Sequence, residues 1–112
     1  MGQDLHKYYL PQYIPQGFVL AGQEQIFNDV YYTYQNELGE EILLYQLEID
    51  TNNMIIDTED AVVEEFVLQG KHIYYYENKG IKNVMWIQGS YQFVISSEIE
   101  KNELIKMRLS VE

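Results

Sequence analysis

Residues 61–97 read AVVEEFVLQGKHIYYYENKGIKNVMWIQGSYQFVISS, and this stretch decides the fold. It holds four runs rich in β-branched and aromatic residues, Ala61–Leu68, Lys71–Glu77, Ile81–Gln88 and Tyr91–Ser97, the residue types that fit a pleated, half-buried surface. The junctions are Gln69-Gly70, Asn78-Lys79-Gly80 and Gly89-Ser90. Each supplies a glycine that can take the positive φ of a tight hairpin turn. Four strands joined by short turns form an antiparallel meander. Alternation assigns the faces: Ile81, Asn83, Met85 and Ile87 share one side, while Lys82, Val84, Trp86 and Gln88 share the other. Tyr91, Phe93 and Ile95 form an uninterrupted apolar row on the last strand. Apolar groups on both sides of several strands predict one face packed on a helix and the other partly covered by the N-terminal lead-in.

Toward the N-terminus, Tyr8–Phe18 carries both prolines, Pro11 and Pro15, and reads as extended because each proline pushes its predecessor away from helix. Gly17 then turns the chain into a first strand over Phe18–Ala21. A second strand is expected over Ile26–Gln35, and the turn Asn36-Glu-Leu-Gly39 leads to a third over Glu41–Ile49. Asp50–Asp60 is turn-rich. Beyond the meander the convincing helix is Glu100–Leu109, with Leu104, Ile105, Met107 and Leu109 as its apolar stripe. Ser97 and Glu100 have capping-box spacing, but Glu100 as the start with Ile99 and Leu104 as a hydrophobic staple is the preferred reading. Lys106 and Arg108 lie in the last turns, where cations suit the helix dipole. The fold class is therefore α+β: a curved antiparallel sheet of six or seven strands, largely a meander, with one C-terminal helix packed on a face. A half-barrel wrapped on the helix is its variant. Residues 1–7 read as a flexible leader and 8–112 as one domain, since 112 residues divide poorly into two cores.

Composition narrows the function. Hydrophobic residues at 46% and aromatics at 14% suffice for a packed interior, which argues against disorder. Seven basic and 18 acidic residues leave a net charge of −11, a field that repels phosphate backbones and anionic lipid heads. Nucleic acid is thus not an expected partner, and no run is long and apolar enough to insert into a bilayer. With no cysteine, disulfides and thiolate chemistry are excluded. His6 and His72 are the only histidines, too few for a zinc site. Ser90, Ser96, Ser97 and Ser110 lie in no nucleophile motif, and the glycines are scattered at turns with no phosphate loop. Asp57 and Glu59 are close in sequence but lack the ligand pattern of a calcium loop and read as turn caps or solvated acids. Glu64 and Glu65, adjacent on a strand, point to opposite faces. No catalytic residue, metal ligand or cofactor is expected.

Eleven tyrosines are the compositional oddity, with Tyr31, Tyr32 and Tyr34 on one strand and Tyr74, Tyr75 and Tyr76 on another. Core packing accounts for most of them, yet three in a row must place at least one outward. An exposed tyrosine face makes a good peptide or sugar platform.

Several segments taken in order carry a family resemblance: Tyr13-Ile-Pro-Gln-Gly-Phe18, Tyr34-Gln-Asn36, Ile56-Asp-Thr-Glu-Asp-Ala61 and Gln69-Gly-Lys71. After these come Trp86 followed by Gly89-Ser-Tyr91, and Glu103-Leu-Ile-Lys106 with Ser110. Over Tyr8–Val111 this set resembles a domain of unknown function found in Gram-positive bacteria, C-terminal to a single transmembrane helix in anti-sigma-factor-like membrane proteins. Met107-Arg-Leu109 departs from the small residues expected before the last serine. The resemblance implies an extracytoplasmic domain tethered by a helix outside this chain, and it transfers no catalytic residue. Three functions follow as expectations. The first is a non-enzymatic binding or sensing module for a protein, peptide or cell-envelope ligand, contacting it through the tyrosine face and the lead-in, with Tyr74, Tyr76 and Trp86 as candidate ligand-binding residues. The second is a structural module that associates with itself. The third, and weakest, is an acid/base hydrolase using Asp57 and Glu59.

Overall fold

The computed structural model describes residues 9–49 and 62–111. Seven strands, β1 (Val19–Ile26), β2 (Asp29–Gln35), β3 (Glu41–Glu48), β4 (Glu64–Leu68), β5 (Lys71–Asn78), β6 (Ile81–Gln88) and β7 (Tyr91–Ser97), precede one helix, α1 (Lys101–Ser110). All pair antiparallel in one open sheet of order β1-β2-β3-β7-β6-β5-β4. Two meanders, β1–β3 and β4–β7, meet where β7 pairs with β3, with Leu44 opposite Ile95 and Gln46 opposite Phe93. This is the α+β architecture expected from the sequence, with seven strands.

The hairpin turns set the register. Gln69-Gly70 and Lys79-Gly80 have positive φ at both central residues, the pattern whose twist matches paired strands. The expected second strand divides differently. Ile26 belongs to β1, and Phe27-Asn28 forms a two-residue turn into β2, with Phe27 at φ 55°. β1 extends to Ile26 and contains a bulge between Leu20 and Gly22.

One face carries the core. Val30, Tyr32 and Tyr34 of β2, Ile42 and Leu44 of β3, Ile73 and Tyr75 of β5, Val84 and Trp86 of β6, and Phe93 and Ile95 of β7 gather under Leu104, Met107 and Val111. Trp86 and Phe93 stack with centroids 4.9 Å apart and planes 4° apart. Helix α1 starts at Glu100, whose side chain makes no capping bond. Ser97 Oγ instead donates to the carbonyl of Glu41 (2.6 Å) and accepts from the amide of Ile99, so it fastens the linker and does not cap the helix. At the other end, Lys71 Nζ donates to the carbonyls of Leu109 (2.8 Å) and Val111, which satisfies groups a helix terminus leaves open.

The lead-in lies on this same core face, a correction to the expectation that it covers the opposite one. Tyr9, Tyr13 and Ile14 pack against the core, and Pro11 and Pro15 are buried. Tyr9 stacks edge-on against Phe93 at 5.3 Å. The amide of Gln12 donates to the carbonyl of Ser110, and that of Tyr13 to Ser110 Oγ (3.0 Å). Tyr13 Oη donates to Glu103 Oε1 (2.6 Å). The opposite face is closed over its middle, where Met85, Gln92, Asn83 and Tyr76 are buried.

Phe93 is fully buried at the junction of the two meanders, so Phe93→Ala should cost about 3–5 kcal/mol in urea denaturation. The Tyr13 hydrogen bond, opposed by burial and assisted by Lys106, holds the Glu103 carboxyl below its usual range. A group with a depressed folded-state pKa stabilises fully above its unfolded value, about 4.3, and loses that contribution as pH falls through the folded value. The difference in urea midpoint between the native chain and Tyr13→Phe should therefore be largest near neutral pH and shrink toward about pH 3.

Candidate functional site

The three tyrosine and tryptophan candidates do not converge. Register places Tyr74 opposite Met85 and Tyr76 opposite Asn83, on the face away from the helix. Trp86 lies opposite Phe93 on the helix face. Trp86 is 0% exposed and Tyr76 is 8% exposed, so neither offers a broad contact surface. Tyr74 is half-buried beside the His72 ring. The other tyrosines mostly serve packing: Tyr32, Tyr34, Tyr75 and Tyr91 are core residues, and Tyr31 packs edge-on against Tyr45 at 5.3 Å. Burial raises the phenol pKa of Tyr34, Tyr45 and Tyr75, with Glu77 adding to the effect at Tyr75.

His72 is mostly exposed, with Nδ1 3.5 Å from a Glu65 carboxylate oxygen. Asp57 and Glu59 lie outside the described residues, as does the leader. Among the described residues, no group of three or more His, Asp or Glu side chains is arranged to hold a metal ion.

Arg108 is the unexpected buried charge. Its guanidinium sits 4.4 Å from the Trp86 ring, and Nε donates to the carbonyl of His72 (3.2 Å). Burial lowers its pKa to about 10. Arg108 stands in the last turn of α1, as expected, but on the buried side of the helix, which the sequence reading did not foresee. The planar guanidinium can lie flat on indole while bonding a carbonyl, a combination an ammonium reproduces poorly.

A concave site does exist, at the end of the sheet where the β2–β3 turn faces the β7–α1 linker. A cavity of about 300 Å³ is lined by Leu38, Leu43, Ile81 and Ile99, with Ser96, Ser97, Glu40, Glu41 and Glu98 around them. Local hydrogen bonds build each wall. Asn36 Oδ1 accepts from the amides of Leu38 (3.1 Å) and Glu40 (2.9 Å), a side-chain-closed turn. That turn presents Leu38, which is 84% exposed. On the facing wall, Lys82 Nζ donates to the carbonyl of Glu98 (3.0 Å). Ser96 Oγ donates to Asn83 Oδ1, and Ser97 Oγ to the carbonyl of Glu41. Both hydroxyls are thus committed to fixed acceptors. Three glutamates stand in the lining, with the Lys82 ammonium held on the Glu98 carbonyl behind it, so the cavity suits an apolar group that carries positive charge. Sequence reading missed it because its walls come from segments 38–43, 81 and 96–99, and the first of these meets the other two only through the β3–β7 pairing.

A seven-stranded antiparallel sheet with one C-terminal helix and a cavity at one end of the sheet define an α+β domain. The chain belongs to the family described as a domain of unknown function (DUF4367), whose model matches residues 8–111. No curated protein and no solved structure matches it.

Arg108→Lys should destabilise the domain by about 1–3 kcal/mol, measured by chemical denaturation and accompanied by a change in Trp86 fluorescence.

Proposed function

We propose that this chain is a non-enzymatic binding domain whose ligand enters the cavity between Leu38 and Ile99. The observation that carries the proposal is the cavity's make-up: an apolar lining of four aliphatic side chains, a set of three acids, and hydroxyls already held by fixed acceptors. Pockets with apolar walls and a few placed polar groups are the usual form of a ligand site. The ligand class is a small apolar group bearing an amine or another cation. The family resemblance supports placing the domain outside the membrane, tethered by a helix that lies outside this chain, where occupancy of the cavity informs an anti-sigma-like partner. Among the described residues, no helix is long and apolar enough to cross a membrane.

Two measurements test this reading. In a heteronuclear NMR titration, n-hexylamine should shift the amides of Leu38, Gly39, Ile81, Ser96 and Ile99 saturably, while hexanoate should not. The cavity-filling variant Ile81→Trp should abolish the response. Equal shifts with both probes, or none at these residues, would sink the cavity as a cation-selective site. For location, this domain has no cysteine and Val62 is 83% exposed, so Val62→Cys gives the domain a single thiol, with the unaltered gene product as the labelling control. In intact cells expressing the whole gene product, a membrane-impermeant maleimide should label it. Labelling only after lysis would contradict the extracytoplasmic placement.

A further inference from the structure

The cavity does not end at Leu38 and Ile99. A wider groove of about 720 Å³ adjoins it, and the two share Leu38, Ile99, Glu40 and Glu98 as a common wall. Beyond that wall the groove runs between the lead-in and the start of α1, past Pro15, Phe18, Glu100 and Glu103. Hydrogen-bonded turns shape it on two sides. The amide of Phe18 donates to the carbonyl of Pro15 (3.1 Å), and Gly17, at φ 90°, supplies the positive φ that glycine gives most readily at the third place of a turn. Phe18 is thereby set half-buried beside the groove. Opposite it, the Asn36 turn holds Leu38 out at 84% exposure, a leucine that gains from burial by whatever lies against it.

Charge is distributed unevenly along this double hollow. Lys82 and Lys101 border the groove, but both are drawn off. Lys82 Nζ bonds the carbonyl of Glu98, and Lys101 Nζ lies 3.3 Å from Glu64 and 4.3 Å from the Tyr75 ring centre. Of the acids, Glu40 accepts from Asn36 Nδ2 (2.8 Å), and Glu103 accepts from Tyr13 and Lys106. Among the described residues, the carboxylates of Glu98 and Glu100 have no hydrogen-bond partner. Glu98 is the one of this pair that stands on the wall common to both chambers. A carboxylate beside apolar surface with no cation of its own favours positive charge at that point.

We infer that cavity and groove form one two-chambered site whose ligand carries its positive charge in the middle, a cationic nitrogen at Glu98 with an apolar arm on either side. One arm enters the aliphatic cavity toward Leu43 and Ile81, and the other lies along the groove against Phe18 and Pro15. Leu38 is then covered from both sides. A ligand of this kind presupposes that the cavity is a binding site, as proposed above, and it also engages the lead-in. An amine with its nitrogen at one end can fill one chamber with its charge at Glu98, or fill both with its charge displaced. It cannot do both.

The test compares three amines on the whole chain by heteronuclear NMR titration: n-hexylamine, N-benzylhexylamine, and phenylheptylamine, the isomer of the second with its nitrogen at the chain's end. N-benzylhexylamine should bind about tenfold tighter than n-hexylamine, the gain from burying roughly 60 Å² more apolar surface. It should shift the amides of Gln16, Phe18 and Lys101 as well as those of Ile81 and Ser96, whereas n-hexylamine should leave Gln16 and Phe18 unmoved. The isomer should bind about threefold more weakly than N-benzylhexylamine, the loss of one solvent-accessible ion pair. Glu98 is exposed, so Glu98→Gln should keep the urea midpoint, weaken N-benzylhexylamine by the same factor and remove the difference between the isomers. Should that variant fail to fold, the comparison of isomers on the unaltered chain decides. Equal affinity of the isomers overturns the inference, as does N-benzylhexylamine binding no tighter than n-hexylamine and leaving Gln16 and Phe18 unmoved; the cavity reading survives either result. No saturable response at Ile81 and Ser96 to any of the amines overturns both.

Discussion

β7 bonds on both sides, to β3 with Leu44 opposite Ile95 and to β6 with Val84 opposite Ile95, and this double pairing makes one sheet of two meanders. Its β6 side is local, a hairpin closed by two residues. Its β3 side joins positions roughly fifty apart in sequence, such as Glu48 with Tyr91 and Ile42 with Ser97. Forming that seam requires closing a long loop before any contact compensates for it. The core is centred on the same line: Phe93 faces Trp86 across one junction and Gln46 across the other, and α1 lies above them. A cavity at Phe93 would therefore weaken both meanders and the seat of the helix together.

The seam also gives the cavity its walls. Leu43 and Ser96 are cross-strand neighbours because β3 and β7 pair, and the hydroxyl of Ser97 ties the β7–α1 linker to the carbonyl of Glu41 across the same junction. Occupancy of the cavity is thus mechanically connected to the start of the helix through a linker of three residues.

What the sequence disclosed followed from local chemistry. Turns that each contain a glycine gave the β4–β7 hairpins and their faces, and Ile99 with Leu104 marked the helix start better than Ser97 did. Non-local features stayed hidden. Nothing in residues 41–49 and 91–97 names them as partners, so the strand order was invisible. The Phe27-Asn28 turn was passed over because a phenylalanine seldom adopts positive φ, and its β-forming neighbours made the segment resemble one long strand. Trp86, Tyr74 and Tyr76 looked alike as large amphipathic groups, but alternation across two paired strands sends the tryptophan to the opposite face. Arg108 resembled a dipole partner because stacking on an indole 22 positions earlier has no sequence signature.

The fastening of the lead-in has a mechanical meaning. Gln12 and Tyr13 bond to Ser110, so the strand-proximal ends of the described chain sit side by side, one entering the sheet and the other leaving the helix. Tension drawn between them meets these hydrogen bonds, the Tyr13–Glu103 contact, the packing of Tyr9 on Phe93 and the Lys71 bonds to Leu109 and Val111 before it parts any strand pair. Such a load peels bonds one at a time, whereas drawing paired strands along their length loads many together. The domain therefore has a compliant latch in series with a stiff sheet, and a modest pull would free the helix's flank while all seven strands stayed in register.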